Sequence, residues 1–180
     1  MGAHGQEWFD ARNSTTVEAS AASPVRIVST YLFAWNPSLW NWPTLGTDVG
    51  RLKRRGHLDR RWNTGPVRDI EPGSRAFLVR VGLPPKGIFG SGVTLTPTRL
   101  ERHWRPEKAA IGEQAQFLTL RLDALFLEPP VTYADLAVPP FARFRWGVRT
   151  SGVRVPSALA AKLEDLWEAR VTAAAISASR

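Results

Sequence analysis

From Gln116 to Leu125 the chain alternates well, with Leu118, Leu120 and Leu122 on one side and Thr119, Arg121 and Asp123 on the other. A period of two residues is that of an extended strand with one face buried. Such a strand needs partners for its backbone and a cover for its apolar face. The sequence offers several: Arg26 to Trp35 (RIVSTYLFAW), Ser74 to Val81 (SRAFLVRV) and Gly87 to Leu95 (GIFGSGVTL), all rich in β-branched or aromatic residues. Leu83 to Lys86 carries two prolines between the last two runs, which are expected to pair antiparallel. Phe141 to Trp146 and Ser151 to Val155 read as extended, and His57 to Pro66 as a loop.

Two helices can be placed in the sequence. Thr47 to Arg55 is short and basic, with Val49 and Leu52 on one side. The other runs from Pro156 to Arg170, where proline opens the first turn and Leu159, Leu163, Leu166 and Trp167 form one apolar stripe. Five or six mostly antiparallel strands with two or three helices, joined by Gly- and Pro-rich connections, predict an α+β fold: a small curled sheet or barrel with helices packed on it. The ordered domain is expected over 26–170. Residues 1–25, rich in Ala, Ser and Thr but carrying Trp8 and Phe9, read as a disordered tail, and 171–180 as a frayed end.

Charge and composition narrow the function. Twenty-four basic against sixteen acidic residues give a net charge of +8, mostly from arginine. Arginine forks onto phosphate and stacks on bases, which favours a polyanionic partner. There is no cysteine, and His4, His57 and His103 lie far apart, so neither a disulfide framework nor a zinc site is expected. No paired carboxylates or nucleophile triad stand out, so neither an enzyme nor a cofactor is expected. No apolar run approaches bilayer length and the first residues lack a secretory pattern, so the expected location is the cytoplasm, away from membranes. Gly87 to Gly92 is not a phosphate loop, since no Lys-Ser/Thr ends it and no helix follows.

Eight tryptophans in 180 residues are an unusual supply. Trp167 belongs to the helix stripe and Trp35 to a strand end, both core positions. Trp40, Trp62, Trp104 and Trp146 fall in loops or at strand ends, where sites tend to sit, although core packing is the ordinary role of tryptophan. Arg51 to Arg68 holds seven cations against one acid, Asp59, and leads into Trp62; Arg143, Arg145, Arg149 and Arg154 flank Trp146. Aromatics ringed by arginine are the pattern of a base pocket on a backbone-binding surface.

Three stretches together carry a resemblance: YLFAWNPSLWNW (Tyr31 to Trp42); RRWNTG with the EPGSRAFLVRVG and GIFGSG strands (Arg60 to Gly92); and RTSGVRVP with a helix ending EDLW (Arg149 to Trp167). In order and spacing they resemble the EVE domain of the PUA-like superfamily, of the subtype often joined to HNH endonucleases. The resemblance implies a PUA-like β-barrel with flanking helices that binds modified DNA by flipping a 5-methyl- or 5-hydroxymethylcytosine into an aromatic pocket. By position, the tryptophan cage of the related YTH domain resembles Trp62 and Trp146, with Asn36, Trp40, Asn63 and Thr64 as neighbours; Ser91 is a further pocket candidate. Arg54, Arg55, Arg60, Arg61, Arg145 and Arg149 are the candidates for the nucleic-acid backbone. Ser74 departs from the family's usual acidic residue, and no HNH segment is present, so cleavage is left to a possible separate nuclease partner. On this reading Trp62→Ala abolishes discrimination and leaves the fold intact. The alternatives are a reader of modified RNA or of N6-methyladenine, and a protein-interaction adaptor.

Overall fold

The computed structural model describes residues 29–178. The expectations for residues 1–25, with Trp8 and Phe9, and the first residues of the Arg26 to Trp35 run lie outside the described residues. The elements, in chain order, are β1 (Thr30–Trp35), α1 (Leu45–Arg55), β2 (Leu58–Asn63), β3 (Arg75–Arg80), β4 (Gly87–Thr94), β5 (Arg99–Arg102), α2 (Pro106–Ala110), β6 (Gln114–Leu125), β7 (Val131–Thr132), α3 (Tyr133–Leu136), β8 (Val153–Val155) and α4 (Ser157–Ala178). The fold is α+β, with one eight-stranded mixed sheet in the order β2-β6-β4-β3-β1-β8. β5 adds to β6 and β7 to β4. The two ends of that path do not pair with each other, so the sheet is open where a closed barrel was expected.

The alternating run became β6, twelve residues long, with β2 paired to Phe117–Leu122 and β4 to Leu120–Leu125. β3 and β4 form the expected antiparallel pair, with a register shift after Leu78. One pairing was not legible: β1 runs parallel to β3, Thr30 opposite Arg75 through Trp35 opposite Arg80. A parallel pair brings the carboxyl ends of both strands to the same end of the sheet.

The sheet divides the interior in two. Tyr31, Phe33 and Trp35 of β1 join Trp42, Leu52 of α1, Trp62 and Leu118 in one buried cluster. Leu32, on the other face of the same strand, joins Phe77, Trp146 and Leu163 and Trp167 of α4 in a second. With both faces covered, the central strands are apolar on both sides, which is why β3 reads as a continuous run.

Three local expectations change. His57 to Pro66 is largely strand: Leu58 and Trp62 of β2 are buried while Asp59 and Arg61 are exposed, and Arg60, an inward position filled by a cation, masked the alternation. Phe141 to Trp146 is a series of turns, closed by hydrogen bonds from Phe141 and Phe144 N–H to Val138 and Phe141 O at 2.9 and 3.0 Å. Its rings pack on one another, with Phe144 at 4.7 Å and Phe141 at 5.8 Å from Trp146. Finally, α4 continues to Ala178 instead of fraying after Arg170. Alanine is the strongest helix former, and Val171 packs against the second cluster, so the Ala-rich end has reason to stay wound.

Candidate functional site

A cavity of about 800 Å³ opens where β1 and β3 end. Ala34, Trp35 and Asn36 border it from β1 and the loop that follows, Val81 and Gly82 from the residues after β3. Its volume falls within the range of small-molecule sites, and the carboxyl ends of parallel strands are a common place for one.

The loop from Asn36 to Pro43 builds one wall, and its own hydrogen bonds pin it. The Asn36 carbonyl accepts from Leu39 N–H at 3.0 Å and Trp40 N–H at 3.1 Å, its side-chain oxygen accepts from Ser38 N–H at 3.0 Å, and Trp35 Nε1–H donates to the Trp40 carbonyl at 3.0 Å. Three indoles follow from this path. Trp40 stacks on Trp42, with ring centroids 5.5 Å apart and planes at 24°. Trp62 meets Trp40 edge-on at 5.9 Å and Trp42 at 5.5 Å. Trp42 and Trp62 are buried, while Trp40 is 43% exposed and borders the cavity.

Beneath the indoles lies Asp48, fully buried on α1. It accepts from Trp42 Nε1–H at 2.9 Å and Thr44 Oγ1–H at 2.7 Å, and it pairs with Arg60 and with Arg51. Burial pushes its carboxyl upward, but the hydrogen bonds from Thr44, Trp42 and Arg60 and the Arg60 charge outweigh that and hold it below the ordinary carboxylate range.

The opposite wall comes from late in the chain. Gly147, Val148, Arg149, Thr150 and Ser151 border the cavity, as does Tyr133. Ser151 Oγ accepts from Ala34 N–H at 3.0 Å, which ties this segment to β1 and leaves the hydroxyl proton for another acceptor. Burial pushes the Tyr133 phenol above its ordinary value, so it stays a neutral donor. Trp104 and Arg105, between β5 and α2, complete the rim, with the Arg105 guanidinium 4.8 Å from the Trp104 ring.

Of the candidate residues, Asn36, Trp40, Trp62, Asn63, Arg61 and Arg149 all line this cavity. Their freedom differs. Both amide atoms of Asn63 are engaged, Nδ2 with Gln116 O and Oδ1 with Gly65 N–H, each at 3.0 Å. Arg61 lies over the Phe117 ring at 3.4 Å, donates to the Arg102 carbonyl and pairs with Glu101. Among the described residues, Lys86, Arg105 and Arg149 on the rim have no carboxylate partner, and no Asp or Glu lines the cavity.

The other predicted residues stand elsewhere. Trp146, 5% exposed, belongs to the cluster on the far face of the sheet from Trp62, and its Nε1–H is spent on the Phe141 carbonyl at 3.0 Å. No sandwich of Trp62 and Trp146 forms. The reason is local: the turns after Val138 fold Phe141 and Phe144 around the indole. Thr64 is fully buried and closes a turn by donating to the Val67 carbonyl at 2.8 Å. Ser91 faces α4, where it bonds Asp123 beside Arg75; Arg75 in turn grips Glu164 at 2.6 and 3.0 Å. Arg60 is committed to Asp48, and Arg54, Arg55 and Arg145 are exposed but outside the cavity wall. Sequence reasoning missed Ser151, Lys86 and Tyr133, which carry no local signal, and left Trp104 and Arg105 unassigned.

Gly82 gives the first test of this wall. Its φ is +78°, and a Cβ there would come within 2.8 Å of Asn36 Cγ. Gly82→Ala is expected to cost about 1–2 kcal/mol for the left-handed backbone. It also displaces the Asn36 amide, so the melting temperature and ligand affinity should fall together. Unchanged affinity would remove Asn36 from the site.

Comparison with known proteins bears on the fold. No family model and no curated protein matches the chain. Solved structures similar to it include two of low sequence identity. A hypothetical protein from Leishmania major, 11% identical, aligns over 79% of this chain and 97% of its own with a TM-score of 0.53. A protein from Pseudomonas syringae, 15% identical, aligns over 76% of this chain and 99% of its own with a TM-score of 0.52. At these identities the likeness is one of fold. Among the described residues, no helix is long and apolar enough to cross a membrane.

Proposed function

We propose that the chain is an EVE-like member of the PUA-like superfamily that reads modified DNA, holding a flipped cytosine with a 5-methyl or 5-hydroxymethyl group in this cavity, and that it acts by binding, without chemistry of its own. The observation that carries the reading is the make-up of the wall: an exposed indole on Trp40 and, among the described residues, the rim cations Lys86, Arg105 and Arg149 without a carboxylate partner and no carboxylate in the lining. That set suits a planar ring attached to phosphates. Stacking a base on an aromatic side chain contributes about 1–3 kcal/mol, comparable to the few kcal/mol spent on unstacking it. The Asn36 amide and the Ser151 hydroxyl offer donors to the polar edge of the base, and Ala34, Val81 and Val148 offer apolar surface to a substituent methyl. A module of this kind suits the targeting half of a restriction system whose nuclease is a separate chain.

The test is a binding panel of oligonucleotides alike in sequence: unmodified DNA, DNA with 5-methylcytosine, 5-hydroxymethylcytosine or N6-methyladenine, and the matching RNA. At least about tenfold tighter binding to one modified-cytosine DNA is expected, since discrimination of one group contributes about 1–3 kcal/mol. With Lys86, Arg105 and Arg149 on phosphates, the logarithm of affinity should fall with that of salt at a slope of about two to three. Equal affinity across the DNA panel removes the modified-base reading, tighter RNA binding moves it to RNA, and no binding leaves the adaptor reading.

A further inference from the structure

Leu39 is 58% exposed, next to Trp40 at the mouth of the cavity. An exposed leucine alone means little. This one sits on a loop held by the Asn36 carbonyl and side chain and bracketed by Pro37 and Pro43, so its backbone is fixed before any ligand arrives. It has no core to serve there, and it stands beside the indole proposed to receive a base. A base that leaves a duplex opens a gap in the stack, and proteins that unstack base steps commonly fill such gaps with a leucine, isoleucine or phenylalanine. A single-stranded ligand has no such gap.

We infer that Leu39 is the wedge that enters the vacated step, so that the protein takes its base from double-stranded DNA. This rests on the base-capture reading above and adds the partner's form. The pinned loop makes the coupling mechanical, because Leu39 and Trp40 are adjacent on one rigid turn: the residue that props the stack open and the residue that receives the base arrive together. Rigidity also means that little ordering remains to be paid at binding.

The experiment compares wild type, Leu39→Ser and, as a control for lost apolar surface, Ile111→Ala, which is 76% exposed and outside the cavity. Each is titrated with the best modified-cytosine oligonucleotide of the panel, once single-stranded and once as a duplex carrying 2-aminopurine beside the target. The expected result for Leu39→Ser is a duplex affinity lowered about tenfold or more, loss of the 2-aminopurine fluorescence rise, and single-strand affinity within about twofold of wild type. Ile111→Ala should bind both forms as wild type does. Equal losses on both forms would make Leu39 a plain wall contact, and unchanged duplex binding would leave it no role; either overturns the wedge. Wild type that holds the single strand but refuses the duplex also overturns it, with base capture standing. Wild type that binds neither form ends both readings.

Discussion

Replacing Asp48 with alanine is expected to lower stability by about 3 kcal/mol, among the largest single-residue effects in the protein. The carboxylate is fully buried and answers four donors: Trp42 Nε1, Thr44 Oγ1, Arg60 and Arg51. Its loss leaves the Trp42 N–H buried without an acceptor and Arg60 without its counter-charge, and the penalty of such orphaned groups exceeds the modest net gain from making the bonds. The lower part of the range for broken buried pairs applies because Arg60 remains partly exposed. With a urea slope of about 2 kcal/mol per molar, the midpoint should drop by about 1.5 M. The effect depends on pH with a definite sign. An unfolded aspartate titrates near ~3.9 and this one lower, so its contribution is complete above about pH 5 and fades as pH falls through the folded value. The urea midpoints of wild type and Asp48→Ala should therefore converge as pH falls below the ordinary aspartate range. A constant gap would mean that shape and packing, and not charge, account for the loss.

Asp48 also shows where sequence reading stops. As one acid near the start of a basic helix it looks like an ordinary dipole partner, and nothing in its neighbours marks it as the anchor of Trp42. β6 and α4 were legible because each shows its period within one segment, and the β3–β4 hairpin because two strand-like runs flank a short connection. The parallel β1–β3 pair was not, because parallel register depends on a crossover of some forty residues rather than on a turn. The cavity follows the same division. Asn36, Trp40, Trp62 and Asn63 lie within two stretches of unusual composition and could be picked out. Ser151, Tyr133 and Lys86 are unremarkable residues that only the fold brings to the rim. Trp146 misled for a physical reason: arginines flank it in sequence, yet those side chains are exposed while the indole turns inward onto Phe141 and Phe144. Flanking charge reports which segment is near the surface and not which way its aromatic ring points.

The same distinction decides which tryptophan tests the site. Trp40→Ala is expected to weaken binding of the best oligonucleotide by about 10- to 100-fold, the equivalent of one lost base–aromatic stack. Its stability cost should stay near 1 kcal/mol, because the ring is 43% exposed and leaves water rather than a sealed void behind it. Trp62→Ala is expected to depart from the sequence-based reading of an intact fold. Trp62 is 5% exposed and packs on Trp42 in the cluster beneath the cavity, so its truncation should cost about 3–5 kcal/mol and confound any reading of affinity. Trp40→Phe separates stacking from shape, since a smaller ring in the same place keeps a π-face and should recover most of the loss. Anisotropy titrations of the three variants, with melting curves alongside, give the comparison. Full affinity in a folded Trp40→Ala protein would mean that the open indole is not where the base lies, and that the cationic rim binds nucleic acid without a cage.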